Sequence, residues 1–278
     1  MKTAFVIVVI FLITQLLGLY IGNEYLGGIE AGELPPAVEN PESISNSFML
    51  FIYILAATGG ILLIVRFWKP SIRALEAFVV FFSSWFTFDF LIPIGVWYFS
   101  LGFFLAIILT AWKALRPTIL SQNTAAVISG AGVGALLGAS FGILPSLVFL
   151  ILLCIYDFVS VFITKHMIHL AKELTKTPMA FTIAAPHKFK KATYVGIKKA
   201  KKKLHIFQLG VGDMVIPLMF TISLLRKFTI INSLFTIIGS TIALILLIYY
   251  MSKKPRPLPA LPFISLGTLS GFIISMIL

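Results

Sequence analysis

Residues 146–164 read SLVFLILLCIYDFVSVFIT, and this stretch decides what kind of fold the chain adopts. Its length is close to the ~20 residues that a helix needs to cross a ~30 Å hydrocarbon layer. It contains a single charged residue, Asp157. Because the bilayer core offers no water to an exposed backbone, a segment of this composition crosses the membrane as a helix.

Similar apolar runs recur from one end of the chain to the other. Of the 278 residues, 59% are hydrophobic and only 12% are charged, and the mean hydropathy is +1.03. A water-soluble surface does not tolerate this composition, and the apolar runs leave no room for a separate soluble domain. We therefore predict an all-α, polytopic membrane protein with one membrane domain over residues 1–278.

About nine membrane-spanning helices are expected. We predict them over residues 4–22, 47–65, 74–91, 94–112, 122–143, 146–164, 205–225, 229–250 and 259–278. Six lie within residues 1–164 and three within residues 205–278, and a loop over about 165–204 joins the two groups. The first run resembles a signal peptide after Lys2, but its apolar part is too long for one, so we predict a membrane helix there.

Basic residues cluster in loops on one side of the predicted spans. All but two of the 22 lysines and arginines fall there, whereas the loop over residues 23–46 on the other side carries five glutamates and no basic residue. Since cytoplasmic loops are rich in Lys and Arg, we predict a cytoplasmic N-terminus and an outside C-terminus. The exceptions are Arg226 and Lys227. Orientation in the cell membrane therefore accounts for the net charge of +12, and no nucleic-acid partner is expected.

The fifth predicted span carries glycines at a strict four-residue spacing: Gly130, Gly134, Gly138 and Gly142. Residues four apart lie on one face of a helix, so this face is bare backbone. Such a face allows a neighbouring helix to approach closely in a membrane. We predict close packing of another helix against it.

Acidic residues at membrane depth are candidates for function, because each costs about 2.5 to 3.5 kcal/mol on the insertion scale. All seven glutamates fall in loops or at span edges, which leaves Asp89, Asp157 and Asp213. Asp89 comes just before the turn at Pro93, so we expect it at the membrane interface. The other two aspartates are predicted to lie deep in the bilayer.

Asp157 and Asp213 are predicted at matching depth. Asp157 precedes Lys165 by about 12 Å of helix, and Asp213 follows Lys203 by about 15 Å in a span that runs the other way. If these spans pack together, the two carboxylates face each other on the cytoplasmic side of the bilayer centre. Two close carboxylates in a poorly solvated site share one proton.

A shared proton supports two different functions. In an aspartic protease, the ionised carboxylate takes a proton from an attacking water while the protonated one donates to the peptide carbonyl oxygen. The same two acids can also form the site of a proton- or cation-coupled transporter. Depth alone does not separate these functions. The transporter would show paired halves with similarly interrupted helices, and the sequence has no such internal repeat.

Three motifs resemble those of the presenilin and signal peptide peptidase family of intramembrane aspartyl proteases. In chain order they are Tyr156-Asp157, Gly210-Val211-Gly212-Asp213 and Pro259-Ala260-Leu261-Pro262. They fall on the sixth, seventh and ninth predicted spans. The cytoplasmic N-terminus is similar to the presenilin branch, and the short loop between spans six and seven is similar to archaeal-type homologues.

The resemblance implies a role for each motif. It implies that Asp157 and Asp213 are catalytic, with Tyr156, Gly210 and Gly212 supporting the site. It further implies that the segment from Pro259 through Ala260 and Leu261 to Pro262 packs beside the aspartates and helps hold the substrate. The expected substrates are membrane-spanning helical proteins or peptides. No cofactor and no metal are expected, and the sequence leaves the oligomeric state open, a homo-oligomer included.

Local sequence around these motifs agrees with such a site. Gly210 and Gly212 weaken the helix before Asp213, and the prolines over residues 255–262 predict an extended segment. A helical substrate must unwind before cleavage, so its backbone then needs partners. The segment over residues 177–186 is expected to offer a strand edge for that purpose.

Two other motifs suggest alternative hydrolases. Residues 138–142 match a GxSxG pattern around Ser140, but they fall in the glycine-rich span rather than on a strand–turn–helix, and no histidine lies further inside a span than the first residue of the seventh, His205, to act as the base. His166 and His169 lack the HExxH context of a zinc protease. We expect neither a serine hydrolase nor a zinc protease.

Overall fold

The computed structural model describes residues 2–67, 71–96, 99–163, 182–185, 207–253 and 258–277. Within these ranges the chain forms nine α-helices. They are α1 (Lys2–Glu30), α2 (Ser45–Phe67), α3 (Ser71–Leu91), α4 (Leu101–Leu115), α5 (Ile119–Ser140), α6 (Ile143–Phe158), α7 (Gly212–Ser223), α8 (Ile230–Lys253) and α9 (Ala260–Ile277). The all-α class is confirmed. Each predicted span overlaps one helix, and the lysine-rich loop lies almost wholly outside the described residues.

Six segments of the described chain are long and apolar enough to cross a membrane. Two further apolar helices, Ser45–Ile61 and Leu101–Leu115, are shorter. α7 is the shortest, with 12 residues, or about 18 Å of helix. It can be short because it is surrounded by protein: all of Met214–Ser223 is buried.

Three helix boundaries differ from the prediction by seven residues or more. α1 continues past residue 22 to Glu30, because Tyr25 and Leu26 are buried in the same apolar cluster as Leu19. The expected outer loop over residues 23–46 therefore begins only after Glu30. The fourth and seventh helices begin later than predicted, at Leu101 and Gly212, because short strands occupy the preceding residues.

The strands form two small antiparallel sheets. The first pairs β1 (Gly95–Val96) with β2 (Phe99–Ser100), and Ser100 then caps α4 by accepting a hydrogen bond from the Phe103 amide at 3.2 Å. The second pairs β3 (Thr182–Ala185) with β4 (Phe207–Gly210), with Thr182 opposite Gly210. Because β4 runs directly into α7, the second sheet adjoins the Gly210–Asp213 motif.

The glycine face of α5 packs on α7. A Cβ at Gly134 would overlap the Leu218 side chain, and one at Gly138 would lie 2.6 Å from the Cβ of Ile222. The predicted close packing is therefore confirmed, and the partner is the helix that carries Asp213. Gly142 departs from the pattern, because it follows α5 and lies against the carboxylate of Glu42.

α1 closes on α7 from another side in the same way. A Cβ at Gly18 would overlap Leu218, and a Cβ at Gly22 would lie 2.6 Å from Ile222. The two α7 side chains thus each fit between a glycine of α1 and a glycine of α5. This arrangement holds α7 at the centre of the bundle.

An ion pair between Glu76 and Lys113 joins the start of α3 to the end of α4, the two helix ends that are predicted to face the cytoplasm. Glu76, predicted at a span edge, lies in the second turn of α3 and is 5% exposed, while Lys113 is 8% exposed. Each charge is offset by its partner, which makes their burial tolerable.

Candidate active site

Asp157 lies in the last turn of α6, where the α-helix passes into a π-helical turn over Val159–Ile163. The Val159 amide donates to the carbonyls of both Ile155 and Tyr156, and the Ser160 hydroxyl donates to the Tyr156 carbonyl at 2.6 Å. A π-turn changes the direction of the side chains that follow it and is frequent at functional sites. The carboxylate of Asp157 is half-buried.

Asp213 lies in the first turn of α7, directly after β4. Val211 begins this turn by accepting hydrogen bonds from the amides of Met214 and Val215, each at 3.0 Å. The Gly210 amide donates to Asp213 Oδ2 at 3.2 Å. A Cβ at Gly210 would lie 3.1 Å from the same oxygen, so glycine here gives the carboxylate the room to accept this bond. Gly212 differs, since a Cβ there would meet no atom within 4 Å.

The Pro259–Pro262 segment reaches the site from α9. The Leu261 amide donates to Asp157 Oδ2 at 3.3 Å, and Pro259 and Leu261 are buried. The expectation of an extended segment is wrong for residues 260–262, because α9 begins at Ala260. The first turn of a helix tolerates Pro262, since amides there have no intrahelical acceptor. Residues 255–257 lie outside the described part of the chain.

The structure brings the two aspartates together. α6, α7 and α9 pack against one another, and the carboxylates of Asp157 and Asp213 are close enough to interact electrostatically. Both carboxylates also interact electrostatically with the thiol of Cys154, which lies about one turn before Asp157. Two carboxylates that interact in this way favour a single shared proton. The site can therefore supply one general base and one general acid.

Tyr156 points to a different neighbour. Its ring packs edge-on against Phe51 of α2, with the ring centroids 6.3 Å apart. This contact connects the end of α6 to α2, next to Asp157 in the chain.

The strand expected within residues 177–186 is present as β3, Thr182–Ala185, while the rest of that segment lies outside the described residues. Ile183 and Leu209, which face each other in the register, are buried in one apolar cluster. The Gln122 amide of α5 donates to the Thr182 carbonyl at 2.5 Å. The sheet is therefore fixed to the bundle beside Asp213.

Sequence reasoning missed two contributors to this region, β4 and Gln122. The signal for β4 was weak, because four residues next to glycines fit the end of a helix as well as a strand. A signal for Gln122 existed, since a polar amide near the start of an apolar helix needs a partner.

Of the remaining candidates, Ser140 and Asp89 lie on α5 and α3, outside the helices that carry the two aspartates. Ser140 donates to the Leu136 carbonyl within α5, as a helical serine does. Asp89, expected at the interface, is half-buried in the last turn of α3, and its Oδ1 is shielded next to Gly102. His166 and His169 lie outside the described residues.

Comparison with known proteins adds independent information. A family model described as signal-peptide peptidase, presenilin aspartyl protease matches residues 8–278. Two solved structures of a presenilin family intramembrane aspartate protease have the same fold. The one in space group C222 has a TM-score of 0.70 and 23% identity, covering 99% of this chain and 98% of that chain. The one in space group P2 has a TM-score of 0.67 and 24% identity, covering 96% of each chain. No curated protein sequence matches significantly.

Proposed function

The chain belongs to the signal-peptide peptidase and presenilin family of aspartyl proteases and is an intramembrane protease, and we propose that Asp157 and Asp213 are its catalytic pair. The observation that carries the proposal is the convergence of two carboxylates from α6 and α7, each held by a backbone amide. The transporter alternative has no support from the family or the fold.

The proposed reaction uses the pair as acid and base. The ionised carboxylate takes a proton from a water molecule while the water oxygen attacks the peptide carbonyl carbon. The protonated carboxyl donates its proton to the carbonyl oxygen. The resulting tetrahedral intermediate collapses when the peptide nitrogen takes a proton from the site and leaves as an amine. The amides of Gly210 and Leu261 orient the two carboxylates and stabilise negative charge on the oxygens that they contact.

The proposed substrate is a membrane-spanning helix whose unwound segment pairs with the sheet of β3 and β4. This proposal is supported by the position of that sheet, which adjoins Asp213 through Gly210. Pairing with a sheet satisfies the backbone groups that unwinding exposes. The Pro259–Pro262 segment forms the opposite wall through Leu261, and Tyr156 and Gly212 border the site.

We propose nine spans, a cytoplasmic N-terminus, an outside C-terminus and location in the cell membrane. Support comes from the basic residues and from the two exceptions among them. Lys227 pairs with Glu42 of the acidic loop at 3.0 Å, and Arg226 donates to the Ala139 carbonyl. Arg226 and Lys227 are thus held next to the acidic loop by local contacts.

Replacement of each aspartate tests the catalytic pair. Asp157→Asn and Asp213→Asn remove a carboxylate with little change of shape, and each is expected to abolish cleavage, because a shared-proton mechanism needs both acids. Purified variants in liposomes are incubated with a panel of single-span peptides, and products are identified by mass spectrometry.

Asp89→Asn is the matched control, since Asp89 is also a half-buried acid in a helix but lies elsewhere. It is expected to cleave as the wild type does. Retention of more than about a hundredth of the wild-type rate by a folded Asp157 or Asp213 variant contradicts the proposal, since loss of an essential acid or base costs at least that much.

A further inference from the structure

The turn that carries Asp213 lacks one of its normal restraints. In a regular helix the Asp213 carbonyl would accept a hydrogen bond from the amide of residue 217. That residue is Pro217, which has no N–H. Gly212 adds flexibility just before the aspartate. The first turn of α7 therefore depends on contacts from outside the helix for its position.

A side chain from α1 supplies such a contact. Gln15 is fully buried, and its Nε2 donates to the Met214 carbonyl at 2.8 Å. Met214 follows Asp213 directly and is itself fully buried. The bond therefore fixes the peptide unit next to the one that Pro217 leaves without a helical donor. Residues 199 positions apart in the chain are joined by this bond.

Packing alone does not account for this glutamine. α1 and α7 already fit together through Gly18 against Leu218 and Gly22 against Ile222. Gln15 Oε1 is buried and has no hydrogen-bond partner in the described part of the chain. Burying an amide that is only half satisfied costs free energy that a leucine in its place would not cost. A glutamine at this buried position is therefore expected to do something other than join two helices.

We propose that Gln15 is a positioning residue for catalysis: its amide holds the Met214 carbonyl and thereby fixes the Asp213 carboxylate opposite Asp157. It touches neither the substrate nor the reacting atoms in this role. The inference rests on the proposed function, because it assumes that Asp213 is catalytic. Correct orientation of an acid–base pair is worth large rate factors, and a displacement of about 1 Å costs up to 100-fold.

The first test replaces the amide by an apolar group of similar size. Gln15→Leu removes the bond to Met214, and kcat on a single-span peptide that the wild type cleaves is expected to fall about 10- to 100-fold. KM is expected to change less than about two-fold, because substrate contacts are untouched. The melting temperature is expected to stay equal or rise, since the half-satisfied amide is gone.

Thr14→Val is the matched control on the same helix. Thr14 is also fully buried, and within the part of the chain that the structure describes its hydroxyl donates only to the Ile10 carbonyl of α1. Valine preserves its shape, including the methyl group that faces Gly130. The Thr14→Val protein is expected to have the wild-type kcat. Equal kcat losses in both variants would show a general effect of polar groups in α1 and would overturn the inference.

The second test restores a hydrogen-bond donor at position 15 that is lost when the pH is raised. A protonated carboxyl in Gln15→Glu keeps an O–H for the Met214 carbonyl, whereas the ionised form is acceptor-only. Gln15→Glu is therefore expected to cleave faster than Gln15→Leu at acid pH and to lose that advantage at alkaline pH. If Gln15 only filled space, Gln15→Glu would have no advantage over Gln15→Leu at acid pH. Equal rates of the two variants at every pH overturn the inference.

Asp213→Asn measured alongside separates the two proposals. If Asp213→Asn is inactive while Gln15→Leu cleaves like the wild type, the positioning role fails and the catalytic pair stands. If folded Asp213→Asn still cleaves, the proposed function itself fails. A loss of kcat in Gln15→Leu, with an unchanged melting temperature and a pH-dependent recovery in Gln15→Glu, supports both.

Discussion

The two glycines of the Gly210–Asp213 motif are needed for different structural reasons. Gly210 leaves room for the Asp213 carboxylate, whose Oδ2 would lie 3.1 Å from a Cβ at that position. Gly212 has open space around it and contributes backbone flexibility instead. The motif therefore requires space at Gly210 and backbone flexibility at Gly212. Single glycine-to-alanine substitutions can distinguish these two requirements.

Gly210→Ala is expected to lower kcat about 10-fold or more, because the added methyl displaces the carboxylate from its amide partner. Gly212→Ala adds the same methyl where it meets nothing, so a smaller loss is expected. The measurement is kcat for both purified variants on one peptide substrate, with circular dichroism to verify folding. A larger loss in Gly212→Ala than in Gly210→Ala would contradict the spatial explanation for Gly210.

At the level of elements, α7 is positioned by two glycine-bearing neighbours. α5 and α1 each present small residues to Leu218 and Ile222, so backbones approach closely on both sides. Lipid provides no hydrophobic force between helices, and association depends on close van der Waals packing of this kind. The short α7 can thus be held at the bundle centre although it is too short to span a bilayer as a straight helix.

Gly138→Ala is expected to destabilise the protein by about 1–3 kcal/mol, because its Cβ would overpack α7. The added atom would lie 2.7 Å from the Met219 carbonyl oxygen, a backbone atom that cannot turn away. Gly59→Ala in α2 is the control, since its Cβ would meet nothing within 4 Å. It is expected to be neutral or slightly stabilising. Thermal unfolding in detergent compares them, and equal stabilities would contradict the packing role of Gly138.

For the whole molecule, charge separates the two ends of the bundle. The acidic loop after α1 meets the α5–α6 turn, where the Gly142 amide donates to the Pro41 carbonyl at 2.8 Å, and it meets the α7–α8 turn through Glu42 and Lys227. The aspartate pair lies toward the other end, since Asp157 is in the last turn of α6. The lysine-rich segment follows α6 in the sequence, which agrees with the proposed site on the cytoplasmic side of the bilayer centre.

Cysteine labelling in intact cells tests this orientation. In a Cys154→Ser background, Glu39→Cys is expected to react with an impermeant maleimide, because Glu39 is exposed and its acidic loop is proposed to face outside. Ser252→Cys, exposed near the end of α8, is expected to react only after permeabilisation. The reverse labelling pattern would place the N-terminus outside and contradict the proposed orientation.

The sequence alone determined the all-α membrane class, the existence of each helix and the choice of Asp157 and Asp213 as candidate site residues. The bilayer makes these features local, because any single segment must be long, apolar and internally hydrogen-bonded to cross it. The sequence did not predict that residues before Asp213 form a strand, that α9 begins within the Pro259–Pro262 segment, or that Gln15 binds the carbonyl of Met214. These features depend on which helices become neighbours, and that choice is made by side chains meeting across large separations in the chain, such as Gly138 with Ile222. Only the tertiary structure decides them, because in lipid the specificity of helix pairing comes from contact geometry rather than from hydrophobicity.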